Sequence, residues 1–344
     1  MATYDLDRTE LSHLLTPNID PAAQKAVIDY LLHNGAFEEH DNHHGHEHDH
    51  HHGHEHDHGH HANQPYQHYN GENLHQHHNG EHGSSHHHHS HHHHGQPTVD
   101  VQISNGSDPL DPDAKVLVLT TATNTVTTGS DLKAIVENVA GNADLTVHGS
   151  NDVMIVTGNG NDHVTLQDTG DDIVITGKGD DVVRLGGGED SVYAGSGNDS
   201  LVAGTGGHQL LSGGDGSDTL IGGDGGHSTL SGGDGSDSLV AGSGGHMLLE
   251  GGGGNDTMFA GTGGDTMDGG SGNDLFHIAA DPHGHDTVDG GGGTDTIQFD
   301  NYASNQVHSM HTSHGETVIT FKDGLQVTVT HVENLVFTDK TEHL

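Results

Sequence analysis

The chain has 344 residues, of which 51 are Asp or Glu and only 8 are Lys or Arg, so its formal net charge is −43 at pH 7. Apolar residues make up 28%, Gly numbers 55, and Cys and Trp are absent. This composition excludes disulfides, thiolate metal centres and a catalytic cysteine, argues against two ordinary globular cores, and repels nucleic acid and anionic membranes. A compact state this acidic calls for counter-charge, so folding is expected to be coupled to bound divalent cations. No apolar run approaches the roughly 18 residues of a membrane-spanning helix, and membrane insertion is not expected. The N-terminus lacks the basic start and apolar core of a standard secretory signal.

Residues 1–37 read as a short helical segment. Asp20-Pro21 is an N-cap followed by Pro at the first helical position. Ala23, Val27, Tyr30 and Leu31 then share one apolar face, and Gly35 can end the helix. A shorter turn is expected over Arg8 to Leu15. The segment is expected to be a weak helix with no partner of its own; the alternative is a docking or oligomerisation element.

Residues 38–97 are low in complexity, and 26 of the 41 histidines fall between His40 and His94. Apolar residues are nearly absent, so the tract is expected to be disordered. His46, His48 and His50, then His54, His56 and His58, are spaced two apart and interspersed with carboxylates. Neutral imidazoles in this pattern are candidate ligands for Zn²⁺, Ni²⁺ or Cu²⁺; the alternative is a solvated tail. His46, Glu47, His50, Gly53 and His56 also spell the metzincin zinc-protease string. That chemistry needs a rigid helix and a Met-turn beneath the zinc. In a segment about half His, without apolar residues to preorganise ligands, the match is expected by chance. No protease, and no enzyme of another kind, is expected.

Residues 98–156 change character. Val116-Leu-Val-Leu119, Leu145-Thr-Val147 and Val153-Met-Ile-Val156 are strand-like. Leu132 to Val139 is ambiguous between helix and strand. The block reads as an N-terminal β-cap or as degenerate coils continuous with a solenoid beginning near Thr157.

Residues 157–299 count in nines. An acidic residue or His falls at 162, 172, 181, 190, 199, 208, 218, 227, 237, 246, 256, 265, 274, 286 and 295, each followed closely by a short apolar run. One glycine-rich turn with its strand cannot bury its Leu alone, but stacked turns can. Hard carboxylate and carbonyl oxygens in flexible loops suit Ca²⁺ rather than Mg²⁺. Gly213-Gly-Asp-Gly-Ser-Asp218, Gly232-Gly-Asp-Gly-Ser-Asp237 and Gly269-Gly-Ser-Gly-Asn-Asp274 resemble the Gly-Gly-x-Gly-x-Asp nonapeptide of the RTX (repeat-in-toxin) family.

The resemblance implies an all-β fold, a right-handed parallel β-roll with two strands per turn and Ca²⁺ between successive loops on each edge. It nominates Asp218, Asp237, Asp256 and Asp274 as ligands, with Asp162, Asp172, Asp181, Asp190, Asp199, Asp265 and Asp295. Gly213, Asp215, Gly232 and Asp234 join them within the best-matched loops. Leu201, Leu220, Leu239 and Met258 are expected inside. It also implies export by the type I secretion machinery through an uncleaved C-terminal signal, and folding outside the cell.

Between 208 and 256 the steps alternate between ten and nine, a 19-residue super-repeat. With two strands per turn, Asp199, Asp218, Asp237, Asp256 and Asp274 share one edge. Asp172, Asp190, His208, His227, His246 and Asp265 share the other. The three histidines are expected to form a ladder with steps of about 4.8 Å, either a transition-metal site or loops that have lost calcium and face water.

Residues 300–344 read as the other cap. Thr317-Val-Ile-Thr-Phe321 and Leu325-Gln-Val-Thr-Val329 flank Asp323-Gly324, a hairpin signal, and Leu335-Val-Phe337 adds a strand. The function expected is a secreted calcium-binding β-roll protein that folds on binding Ca²⁺. The alternatives are an extracellular transition-metal scavenger that uses the roll as its secretion and stability module, and an adhesin or surface-layer component. A pore-forming toxin lacks support, because no amphipathic membrane block precedes the repeats.

Overall fold

In the computed structural model, residues 2–16, 18–37, 97–105, 108–282 and 284–344 are described. The candidate transition-metal ligands His46, His48, His50, His54, His56 and His58 lie outside them.

The period of nine becomes half a turn of a parallel β-solenoid of about ten turns. Strands alternate between a fifteen-stranded and a twelve-stranded sheet. Because side chains alternate across a strand, each pass sends one large apolar side chain inward. In the twelve-stranded sheet Leu201, Leu220, Leu239, Met258, Phe276 and Ile297 stand in parallel register. Facing them, Val192, Leu211, Leu230, Leu249, Met267 and Val288 do the same. All twelve are fully buried, each contributing about 1.5–3 kcal/mol of transfer free energy. No turn holds this burial without its neighbours, as the sequence pattern requires.

The N-terminal helices have a partner after all. Helix α1 (Arg8–Leu15) starts at Asp7, whose carboxylate accepts from the Thr9 and Glu10 N–H groups in a capping box. Helix α2 (Pro21–His33) starts at the N-cap Asp20, and Gly35 follows it at φ +64. Leu11, Leu15, Ala23, Val27 and Leu31 pack against Val99, Val101, Val116, Val118, Ala134, Val136, Met154 and Val156. These are outward-facing residues of the first strands of the larger sheet. Covered on both faces, those strands read as continuous apolar runs, which is why the ambiguous stretch near Leu132 resolves as a strand, Ala134–Glu137, buried throughout. The block from Val99 onward is continuous parallel coil. Strand Ala2–Leu6, not expected from the sequence, pairs antiparallel with Val99–Ser104 and closes this end.

At the other end, Glu316–Phe321 and Gln326–Thr330 form the expected hairpin, and the second strand joins the roll in parallel. Val307–Ser313 adds an outer antiparallel strand. Phe299, Tyr302, Phe321 and Phe337 pack together at centroid distances of 4.1–6.4 Å, with Phe299 stacked on Phe337, and plug the base of the core.

Candidate metal centre

The loops leading from the larger sheet to the smaller one line a first edge; those leading back line a second. On the first edge, eight loops carry paired left-handed glycines, for example Gly214 at φ +117 and Gly216 at φ +139. A Cβ on Gly216 would lie 1.6 Å from the Gly197 carbonyl oxygen of the preceding turn. Backbone therefore stacks on backbone, and only glycine fits.

That stacking files one Asp per turn along the edge: Asp162, Asp181, Asp199, Asp218, Asp237, Asp256, Asp274 and Asp295, each at most 3% exposed. The N–H of each Asp donates to Oδ1 of the Asp in the next turn, at 2.7–2.8 Å. The last N–H, of Asp295, donates to Glu333 Oε2 at 2.7 Å. The other oxygen, Oδ2, is buried without a hydrogen-bond partner in all eight. Eight unpartnered buried carboxylate oxygens in one file are very costly unless cations meet them. From Asp218 to Asp295 the space beside this oxygen lies next to the first loop glycine, whereas Thr157, Thr176 and Ala194 hold that position in the three earlier loops. A Cβ on buried Gly213 would sit 2.1 Å from Asp218 Oδ2, and one on Gly232 would sit 2.3 Å from Asp237 Oδ2. Hard oxygens, glycine at the close approach and nearby backbone carbonyls (Gly232 and Gly251 oxygens at 2.8 and 2.7 Å from those same points) fit Ca²⁺. Asp215 and Asp234 are exposed and in register, and their carbonyls accept from Gly197 and Gly216 N–H in the turns above.

Burial pushes the file's carboxyls up: Asp181 to about 7, and Asp199 and Asp237 to about 6. Asp162, Asp218, Asp256, Asp274 and Asp295 are raised for the same reason. Without counter-charge these groups favour protons.

The second edge is different. Asp172 keeps an unpartnered Oδ2, and both oxygens of Asp168 are unpartnered at 6% exposure. Burial raises both carboxyls, Asp172 to about 8. Asp168 stands at the second loop position, where the first edge carries glycine, and sequence reading passed over it; the phase of Gln167-Asp-Thr-Gly-Asp-Asp172 was the available signal. Asp190 and Asp265 leave no oxygen unpartnered. Gln209 Nε2 donates to Asp190 Oδ2 at 3.1 Å and to the Gly188 carbonyl at 3.3 Å, filling the space with an amide nitrogen. Asp265 accepts from Met247 and Gly261 N–H groups, both at 2.9 Å.

The histidine ladder exists but its phase differs from the expectation. Register places Gln209, Ser228 and Met247 in the Asp slot, between Asp190 and Asp265. His208, His227 and His246 each precede that slot, as an extra loop residue at φ +58, +65 and +56. The insertion is what lengthens these turns to 19 residues. The exposed rings stack with centroids 5.2 Å apart and planes within 16°. Matching nitrogens of such rings lie about as far apart as the centroids, whereas one ion at ~2.1 Å from each spans ~4.2 Å at most. In this arrangement neighbouring rings do not share a metal, and among the described residues no group of three His, Asp or Glu side chains converges on one. Among the same residues, no helix is long and apolar enough to cross a membrane.

The family model for the RTX calcium-binding nonapeptide repeat matches residues 167–201, 203–226, 223–245, 248–277 and 283–299. Comparison with curated proteins gives no match. The matched segments take in the first-edge loops ending at Asp181, Asp199, Asp218, Asp237, Asp256, Asp274 and Asp295, together with the Asp168–Asp172 loop of the second edge. The loop ending at Asp162 lies before them. The stretch 167–299, the body of the roll, belongs to the RTX calcium-binding nonapeptide repeat family.

Proposed function

We propose that this is a secreted protein whose β-roll folds outside the cell by loading Ca²⁺ along its first edge. The carrying observation is the file of eight buried Asp residues, each with one oxygen committed to the neighbouring turn and one left without a partner. Asp162, Asp181, Asp199, Asp218, Asp237, Asp256, Asp274 and Asp295 would hold the ions with loop carbonyls. Asp168 and Asp172 would hold one on the second edge. Calcium supplies two positive charges per site and removes the desolvation cost of its carboxylates. Inside a cell, where free Ca²⁺ is scarce, the same file keeps the chain expanded and exportable, in line with the type I route that the repeat family implies.

The test is a calcium titration of the full-length protein followed by far-UV circular dichroism and by bound metal per chain. A cooperative gain of β-signal with uptake of several Ca²⁺, reversed by chelator and not reproduced by equimolar Mg²⁺, is expected. A fully formed roll in chelator that takes up no Ca²⁺ overturns the reading.

Transition-metal capture is a separate activity that rests on the composition of residues 38–97. Deleting that tract should abolish Zn²⁺, Ni²⁺ and Cu²⁺ binding while leaving calcium uptake intact. Retention of transition metal by the shortened chain would move the activity elsewhere.

A further inference from the structure

The first edge continues one turn beyond its nonapeptide loops. Above Asp162 the chain turns through residues 138–143, which lack the Gly-Gly-x-Gly-x-Asp pattern and lie outside the family match. They nevertheless stack as one more loop. A Cβ on Gly160 would lie 2.6 Å from the Gly141 carbonyl carbon. Asn161 N–H donates to Asn142 Oδ1 at 3.0 Å, as Asp180 N–H donates to Asn161 Oδ1 one turn later. The Ala143 N–H donates to Asp162 Oδ1 at 2.7 Å, the bond that every later Asp receives from the Asp before it. Position 143 is therefore the Asp slot of this turn, and it holds no carboxylate.

A carboxylate enters from another position. Glu137, the last residue of strand Ala134–Glu137, follows Val136, which pairs with Val156. It therefore shares an inward column with Thr157, Thr176, Ala194 and Gly213. In the later loops this column approaches the unpartnered Asp oxygen of its own turn, as the position of a Cβ on Gly213 beside Asp218 shows; in the turn of Glu137 that slot is Ala143, whose N–H holds the Asp162 carboxylate of the next turn. Glu137 is completely buried. Its Oε1 accepts from Asn124 Nδ2 at 2.9 Å, and Asn124 is itself fixed by the Thr121 hydroxyl at 2.8 Å. Its Oε2 has no partner, and neither does Asp162 Oδ2, which is 1% exposed. The lower end of the file shows the same device, since Glu333, also outside the repeat pattern, takes the Asp295 N–H.

We propose that Glu137 joins Asp162 as a carboxylate ligand of the calcium site that closes the N-terminal end of the first-edge file, tying it to the helix-covered turns. This rests on the calcium reading of that file. Two carboxylates, the neighbouring loop carbonyls and the absence of any described nitrogen or sulfur ligand select a hard divalent ion. The competing occupant is a proton on Glu137.

The experiment compares full-length wild type with Glu137→Gln. Bound calcium per chain is measured by elemental mass spectrometry after dialysis against excess Ca²⁺, and amide exchange is followed over residues 121–143. The expected result is one Ca²⁺ fewer per chain, with exchange at least ten-fold faster in that segment and unchanged around Asp237. An unchanged count with unchanged or slower exchange overturns the proposal and assigns Glu137 a proton. A wild type that binds no calcium fails the file as a whole, a different outcome. If Glu137→Gln does not fold, Glu137→Asp replaces it: the shortened carboxylate should weaken one site in the titration while leaving the saturating count intact, and a titration identical to wild type overturns the proposal.

Discussion

Replacing Asp237 by Asn should stabilise the protein without calcium and destabilise it with calcium. The amide keeps the shape, and its Oδ1 still accepts the Asp218 N–H, now at 2.7 Å. What changes is Oδ2, buried and unpartnered. In the calcium-free protein, burial raises the Asp237 carboxyl from 3.8 to about 6. The sign follows from linkage. Below the unfolded value both states hold the proton and the group contributes nothing. As pH rises from about 4 to about 6 the unfolded chain releases its proton and the folded chain keeps it, so stability falls. Above the folded value the penalty is complete. Two units correspond to about 3 kcal/mol, which the high effective permittivity around even buried charges reduces to about 1–2 kcal/mol. Asn removes that penalty. With calcium present, Asn instead removes one charged ligand from a buried ion site, a loss of about 3–5 kcal/mol by analogy with one-sided removal of a buried ion pair. Urea unfolding at pH 7.5, in chelator and in excess Ca²⁺, reads both signs. If chelated wild type has no cooperative transition, the calcium concentration at the folding midpoint replaces it and should rise in the variant. The same sign in both conditions, or no shift of that midpoint, refutes the cation reading of the file.

The same logic extends to pH along both edges. Asp172 is raised to about 8, Asp181 and Glu137 to about 7, and Asp199 and Asp286 to about 6, each chiefly by burial. Chelated protein should therefore be more stable at pH 5 than at pH 8, and calcium-loaded protein the reverse, as scanning calorimetry at the two pH values would show; parallel trends would contradict it. Gly214→Ala places a Cβ 2.1 Å from the Gly195 carbonyl oxygen at φ +117, whereas Gly315, at φ +86, has open space around it. Thermal melts in calcium should put Gly315→Ala within about 1–2 kcal/mol of wild type, with Gly214→Ala clearly below it; equal losses would mean that the loops are not in backbone contact. His227→Gly relieves a left-handed residue at φ +65 and should gain about 1 kcal/mol in calcium. A loss of similar size would show that the ring stack contributes more than the strain costs.

Much of the roll was legible because its period is physical. A residue type that must meet a cation and one that must face the core recur in fixed phase, and Asp218 with Leu220 states both. Counting failed where punctuation did. The count of nine from Asp199 reaches His208, and chemistry made a histidine a plausible replacement for Asp. Yet Gly204-Thr-Gly-Gly offers no mark by which to locate an inserted residue, and only the pairing of Ser191 with Leu210 puts Gln209 in the slot. The partner of the helices was hidden for a related reason. Val116 to Leu119 alternate between the interior and the helix-covered face, but both faces are apolar, so the sequence shows a buried strand and not what covers it. Glu137 was invisible because its role is set by a register that skips a residue: it reaches the first-edge file from six positions before Ala143, where the nonapeptide would place an Asp five after its first glycine.

The two edges have solved the same electrostatic problem in different ways, and the difference says how the roll assembles. On the first edge each carboxylate binds the turn before it through one oxygen and leaves the other free, so a turn is finished only when its neighbour and a cation are both present. Ions there would act between turns, and loading should be cooperative along the file. On the second edge Gln209 supplies an amide where an ion would sit, and the Gly261 N–H satisfies Asp265. Those turns close without metal. A chain with calcium-dependent loops on one side and self-satisfied loops from Asp190 to Asp265 on the other has part of its turn contacts available before any ion binds. Calcium is then required to align the first edge onto a template the second edge can already form, which lowers the ordering entropy left to each binding event. The helix-covered N-terminal turns and the aromatic base hold the two ends of that template. Folding should therefore proceed inward from both caps, with the glycine-rich middle, from Asp199 to Asp256, the last to order as calcium rises.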